Sequence, residues 1–328
     1  MNTPPPSVEI AYADGTTAAV APRTPLRDVL PATAGDPGLP VIAALVNNDV
    51  TSLSYPVEMD CTVRPLTRLD PEGAHVYQRS LTFLLAKAVK ELYPAAAFSV
   101  DHTIGNAIYC TFDPTGENGR GSGALASHVD ALRERLHALA AADIPIERRK
   151  ISFADALARF SEAGQTDKLN LLKFRNPPRI TIHGCGGFYD LAQGPLAPST
   201  GSLTCFDLTH YPPGFVLRLP LPGSADCVAP FQDQPHLFQI FREHKAWGRI
   251  LGVDTVGRLN EIIVNGDIGD FIKISEALHE KKVATIAEDI TRRRGDVRVV
   301  LVAGPSSAGK TTFTKRLGIQ LRVNGLHV

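Results

Sequence analysis

The run VRVVLVAGPSSAGKTTFTKRLGIQL, which begins at Val297, constrains this chain more than any other stretch. Within it Gly304, Pro305, Ser306, Ser307, Ala308, Gly309, Lys310 and Thr311 satisfy the pattern G-x-x-x-x-G-K-S/T. The apolar residues from Val297 to Ala303 predict a parallel strand covered on both faces, and TTFTKRLGIQL predicts a helix. Glycines let backbone N–H groups converge on phosphate oxygens, and the positive end of the following helix adds to that field. The pattern therefore predicts a nucleotide cradle from Gly304 to Thr312, with Lys310 reaching the β- and γ-phosphates and Thr311 as the Mg²⁺ ligand. ATP and Mg²⁺ are the cofactors that it implies.

The rest of the chain has room for more than one core. Its 328 residues are 44% hydrophobic and 21% charged, the balance of an ordinary globular protein with two or three domains. Lys+Arg 34 against Asp+Glu 34 gives no net charge, which removes the main electrostatic argument for broad RNA binding. The five cysteines stand far apart, with no CxxC pair, so neither a disulfide framework nor a zinc site is expected. A start reading MNTPPPS has no basic and apolar leader, and no run approaches the roughly 18 apolar residues of a membrane span, so a cytoplasmic protein is expected.

Pattern divides the chain further. VEIAY and TTAAV around the turn ADG predict a hairpin, Thr24 and Pro25 a helix start, and VIAALV a buried strand before a turn at Asn47-Asn48-Asp49, which together describe a small β-grasp. Leu81, Leu84, Leu85, Ala88, Val89 and Leu92 recur at helical spacing up to Pro94. Strand-like AIYCTF, RITIH, LTCFDLTH and GFVLRL, a helix over ALASHVDALRERLHALAAAD, and Ser152 as a cap for ADALARF predict an α+β unit with an antiparallel sheet. From Pro235 to Arg294 the pattern is helical. HGCGGFYD lacks the third glycine of a dinucleotide turn, and His183, Cys185 and His210 have no metal-ligand spacing, so they are read as structural.

DGTTAAVAPRTPLRDVL and AALVNNDVTSL resemble a TGS domain, the β-grasp module at the N-terminus of threonyl-tRNA synthetases. RSLTFLLAKAVKELYP, ISFADALARFSEAGQTDKLNLL and DLAQGPLAPSTGSLTCFDLTH resemble the neighbouring second additional, or editing, domain of those enzymes. Joined to EALHEKKVATIAEDI and the glycine-rich run, the whole is similar to bacterial nucleoside kinases of the uridine kinase and phosphoribulokinase family. The resemblance implies an α+β multidomain chain: a TGS-like domain over 1–68, an editing-like domain over 69–225, a helical connection over 226–295 and the first strand, loop and helix of a P-loop kinase domain over 296–328. It implies phosphoryl transfer from ATP to the 5′-hydroxyl of a nucleoside such as uridine or cytidine, with Lys310 catalytic. The base, the Mg²⁺-supporting acid and the lid arginines of that family would follow Val328, so the chain reads as truncated and inactive alone.

The editing site of the resembled synthetases pairs H-x-x-x-H on a helix with C-x-x-x-H on a loop. Here Arg79 and Phe83 take the first pair of positions, and Ala192 and Leu196 the second. No imidazole or thiolate remains among them, so ester hydrolysis is not expected. The alternative is an RNA- or nucleotide-binding module on a synthetase-like scaffold without editing activity, with a basic groove including Arg79, Arg148 and Arg149.

Overall fold

The computed structural model describes residues 7–34, 39–116, 123–175, 177–224 and 227–328; the tract Pro4-Pro5-Pro6 lies outside them. The protein is α+β with several sheets and divides into two compact units. One comprises 1–169 with 176–238, the other 170–175 with 239–328.

The first unit opens with β1 (Val8–Tyr12) and β2 (Thr17–Val20). The Asp14 carboxylate closes their turn by accepting from the backbone and hydroxyl of Thr16 at 2.9 and 2.6 Å. Thr24 and Pro25 do not start an α-helix. They form β3 (Thr24–Pro25) and lead into a single 3₁₀ turn, Leu26–Asp28. The Thr24 hydroxyl donates back to the Ala21 carbonyl, so it serves the preceding turn and leaves the amides ahead of it uncapped. β4 (Ala43–Val46) and β5 (Asp49–Thr51) are joined through Asn47 and Asn48, both left-handed at φ 46 and 71°, as a two-residue hairpin demands. β6 (Pro56–Val57) pairs with β3, and β7 (Cys61–Leu66) runs parallel to β1 and antiparallel to β4. The mixed sheet, ordered β2-β1-β7-β4-β5, buries Ile10, Leu26, Ala44 and Val63.

α1 (Pro71–Leu92) begins at a proline, whose missing N–H is one that a first helical turn leaves unpaired anyway. Its entry is held by Asp70, which accepts from Thr67 N at 2.8 Å and from Arg64 at 2.7 Å. β8 (Ala97–Ile104) and β9 (Ala107–Asp113) precede α2 (Ala126–Ala141), which packs beside α1. β10 (Glu147–Ser152) runs into α3 (Phe153–Glu162), and the Ser152 hydroxyl caps that helix by accepting from Asp155 N at 3.1 Å. α4 (Thr166–Leu172), β11 (Arg179–Cys185), β12 (Phe188–Asp190), β13 (Asp207–Tyr211) and β14 (Gly214–Arg218) follow. Two antiparallel sheets result, β13-β14-β9-β8 and β10-β11-β12. One continuous core joins Leu81, Leu84 and Leu85 of α1 to Leu132 and Leu136 of α2 and to Phe215 and Leu217 of β14.

α5 (Pro235–Leu251) starts in this unit, where Phe238 packs on Tyr109 and Tyr211 with ring centroids 4.9 and 4.7 Å apart. The second unit holds α6 (Val256–Asn265), capped by Thr255 before it and by left-handed Gly266 after it, α7 (Ile268–Arg292) and α8 (Lys310–Val323). Val283 and Ala287 of α7 meet Leu317 and Leu321 of α8. The strand expected from Val297 to Ala303 does not form. Val299 and Leu301 are exposed by 74% and 89%, because among the described residues no neighbouring strand pairs with this run. No helix of the described residues is long and apolar enough to cross a membrane.

Candidate functional site

α1 turns Arg79, Phe83 and Lys87 toward one side, as their spacing of four requires. Arg79 lies against the loop after β12: its Nε donates to the Pro195 carbonyl at 3.4 Å, and a side chain built on Gly194 would come within 3.2 Å of its guanidinium carbon. Phe83 meets the Phe188 ring at a centroid distance of 5.3 Å. Lys87, almost fully buried, bonds Glu91 at 2.6 Å and the Gly186 carbonyl at 3.5 Å. α1 thus runs along β12 and its two flanking turns. Sequence comparison paired Arg79 and Phe83 with Ala192 and Leu196; the fold brings Arg79 to that loop, whereas Phe83 meets β12 itself at Phe188. Ala192 and Leu196 pack against the core, Leu196 being only 3% exposed.

β11 and β12 add groups that sequence reasoning missed or set aside. His183 stands directly opposite Asp190, so both side chains emerge on one face, and Phe188 shares it two residues from Asp190. His183 is 2% exposed, and neither ring nitrogen has a hydrogen-bond partner among the described residues. Burial, with the Arg148 guanidinium nearby, pushes its imidazole down to about 4, so it is neutral at pH 7. Asp190 is paired with Lys168 at 3.1 Å, and Lys168 also bonds Asp167 at 3.0 Å. Burial raises the Asp190 carboxyl against the pull of Lys168, and the two carboxylates raise Lys168 against its own burial. The spacing of Lys168 and Asp190 in sequence carries no recognisable signal, since they meet only when α4 docks beside β12. Cys185 is buried, its thiol pushed up by burial, so it is no ready nucleophile.

The His210 Nε2 pairs with the Ala124 carbonyl at 2.8 Å. Among the described residues no three His, Cys, Asp or Glu side chains converge as a metal site.

The glycine-rich loop lies in the second unit. Ser307 and Gly309 take left-handed φ values of 62 and 76°, turning the chain into α8 with Lys310 at its first position and Thr311 and Thr312 in its first turn. The Lys310 ammonium folds back onto the Gly304 and Pro305 carbonyls at 2.8 and 2.6 Å. Gly304 to Gly309 are exposed, and Ala308, Gly309, Lys310 and Thr312 line a cavity of about 570 Å³ that also reaches Phe313, Arg316 and His279. A first helical turn carries unpaired amides, so the donors of an anion cradle are present.

No protein-family model matches the chain. Curated relatives are threonine–tRNA ligases. That of Porphyromonas gingivalis is 35% identical over 168 residues, 51% of this chain and 25% of the relative. That of Parabacteroides distasonis is 36% identical over 163 residues, 50% and 24% respectively. That of Pelobacter propionicus is 29% identical over 202 residues, 62% and 31%. The chain spans about a quarter of the length of these curated relatives. These relatives overturn the reading of the chain as a uridine kinase or phosphoribulokinase relative, and with it the nucleoside substrate and the kinase activity. The motif from Gly304 to Thr311 is eight positions long, whereas the match to the ligases extends over half the chain, and the longer match outweighs the short motif.

Proposed function

We propose that this chain is an RNA- or nucleotide-binding module built on a threonyl-tRNA synthetase-like scaffold that does not hydrolyse aminoacyl esters. One observation carries the reading. The cleft where α1 meets the loop after β12 is closed by Arg79 lying on Gly194 and Pro195, and the side chains at its paired positions are Arg79, Phe83, Ala192 and Leu196. None of these can act as a general base, a nucleophile or a metal ligand near neutral pH. The five-stranded sheet before α1 is read as the TGS-like part, with boundaries near 68, 225 and 295.

The nucleotide side of the reading rests on Gly304 to Thr312. Lys310 would leave the Gly304 and Pro305 carbonyls for the β- and γ-phosphates of ATP, and the Thr311 hydroxyl would hold Mg²⁺ together with those phosphates. The bound metal supplies charge neutralisation. Pro305, Ser306, Ser307 and Ala308 shape the loop, and Gly309 admits the left-handed turn.

Release of serine from seryl-tRNA(Thr) and retention of a labelled acceptor-stem RNA or of Mg·ATP test the two halves. Retention without release is expected. Turnover of the ester that Arg79→Ala abolishes would overturn the reading, and so would failure to retain both RNA and nucleotide.

A further inference from the structure

The Arg79 guanidinium is a half-buried positive charge with no carboxylate within ion-pair distance among the described residues. Its one hydrogen bond there goes to a carbonyl at 3.4 Å. Burial pulls it below its ordinary value, and no opposing charge offsets that pull. A guanidinium that is half out of water and has no counter-charge keeps N–H donors free to take an anion.

The neighbouring charges do not supply one. Asp190 is answered by Lys168, and Glu91 by Lys87 and Arg135. The order along the cleft is set by three contacts. Lys87 lies at Gly186, Phe83 at Phe188, and Arg79 at Gly194 and Pro195. Asp190 and its cross-strand partner His183 therefore fall between the levels of Phe83 and Arg79. His183 brings a second, independent sign of a ligand, a buried imidazole with two nitrogens unpartnered among the described residues, on the strand face that carries Phe188, the ring that meets Phe83. A neutral imidazole can donate from one nitrogen and accept at the other.

Resting on the reading of this cleft as a non-hydrolytic binding site, we infer that it takes a small oxyanion, carboxylate or phosphate, on the Arg79 guanidinium, with His183 contacting the same ligand and Phe83 and Phe188 forming its apolar wall. Guanidinium offers paired N–H donors that match either group.

The test follows the Arg79 Nε–Hε and His183 ring resonances of the full chain by NMR during titration with sodium phosphate or sodium acetate. A Lys310→Ala background keeps the glycine-rich loop from contributing. Saturable shifts at both residues with a dissociation constant of about 1 mM or below are expected for at least one probe, and the probe that saturates identifies the source as phosphate or carboxylate. Arg79→Gln should weaken binding about tenfold or more, and Arg79→Lys less, because the charge survives without the fork. If Arg79→Gln does not fold, Arg79→Lys and the parent resonances still decide. Shifts that rise linearly with either salt, or binding equal in the parent and Arg79→Gln, would overturn the inference. Ester turnover would sink the underlying reading, whereas absent turnover with linear shifts would sink this inference alone.

Discussion

The Ser80 hydroxyl accepts from Ala197 N at 2.7 Å and donates to the Val76 carbonyl at 2.7 Å, tying the loop that follows β12 to the middle of α1. Ser80 is fully buried, so this one side chain fixes the wall of the cleft one residue from Arg79. Ser80→Ala leaves the Ala197 amide buried without an acceptor. A loss of about 1–3 kcal/mol in unfolding free energy is expected from urea titration. Equal stability of the variant would show that the loop is held otherwise.

Gly73 lies in the first turn of α1, where an added Cβ would sit 1.8 Å from the Thr67 carbonyl oxygen. That obstacle is backbone and cannot swing away. Gly73→Ala should displace the start of α1 and cost about 1–3 kcal/mol or more, although alanine is the better helix former. Thermal unfolding of the variant against the parent measures it, and an unchanged or raised midpoint would contradict the close approach.

His183 makes stability depend on pH in a defined direction. Its folded value of about 4 lies below the ordinary 6.5, so between those limits the unfolded chain binds the extra proton. Stability contributed by the neutral imidazole is present above pH 6.5 and is lost as pH falls toward 4, by roughly 3 kcal/mol at most. Asp190, raised by burial, acts in the opposite sense at the acid end. The difference between the parent and His183→Asn should therefore shift with pH across this window in urea titrations; a difference constant from pH 7 to 4.5 would refute the assignment.

Lys168→Met removes the partner of Asp190 and leaves a buried carboxylate uncompensated. A loss of about 3 kcal/mol is expected near pH 7, shrinking in acid as Asp190 takes up a proton. Lys168→Met with Asp190→Asn should recover much of it. A double variant as unstable as the single one would mean that Lys168 acts through packing alone.

Lys310→Ala, in contrast, touches a half-buried side chain whose hydrogen bonds, among the described residues, go to its own loop. Unfolding of the first unit should be unchanged while retention of Mg·ATP falls about tenfold or more. Equal retention would remove Lys310 from the proposed nucleotide site.

Sequence alone determined the elements whose signal is local. The period of Leu81, Leu84, Leu85 and Ala88 made α1 legible, Asn47-Asn48-Asp49 marked a turn, and Ser152 announced α3, because propensity, turn chemistry and capping act within a few residues. The departures at Arg79, Phe83, Ala192 and Leu196 were also visible there. Tertiary structure decided the rest. The apolar run from Val297 remained irregular because a strand needs neighbours that its own residues cannot provide. Thr24 and Pro25 became a strand because β6 pairs with them across thirty residues of chain. Lys168 met Asp190 only where α4 docks beside β12, and His183 was left without hydrogen-bond partners among the described residues only once β11 was buried. Desolvation and pairing across such distances are properties of the packed chain, and no window of sequence contains them.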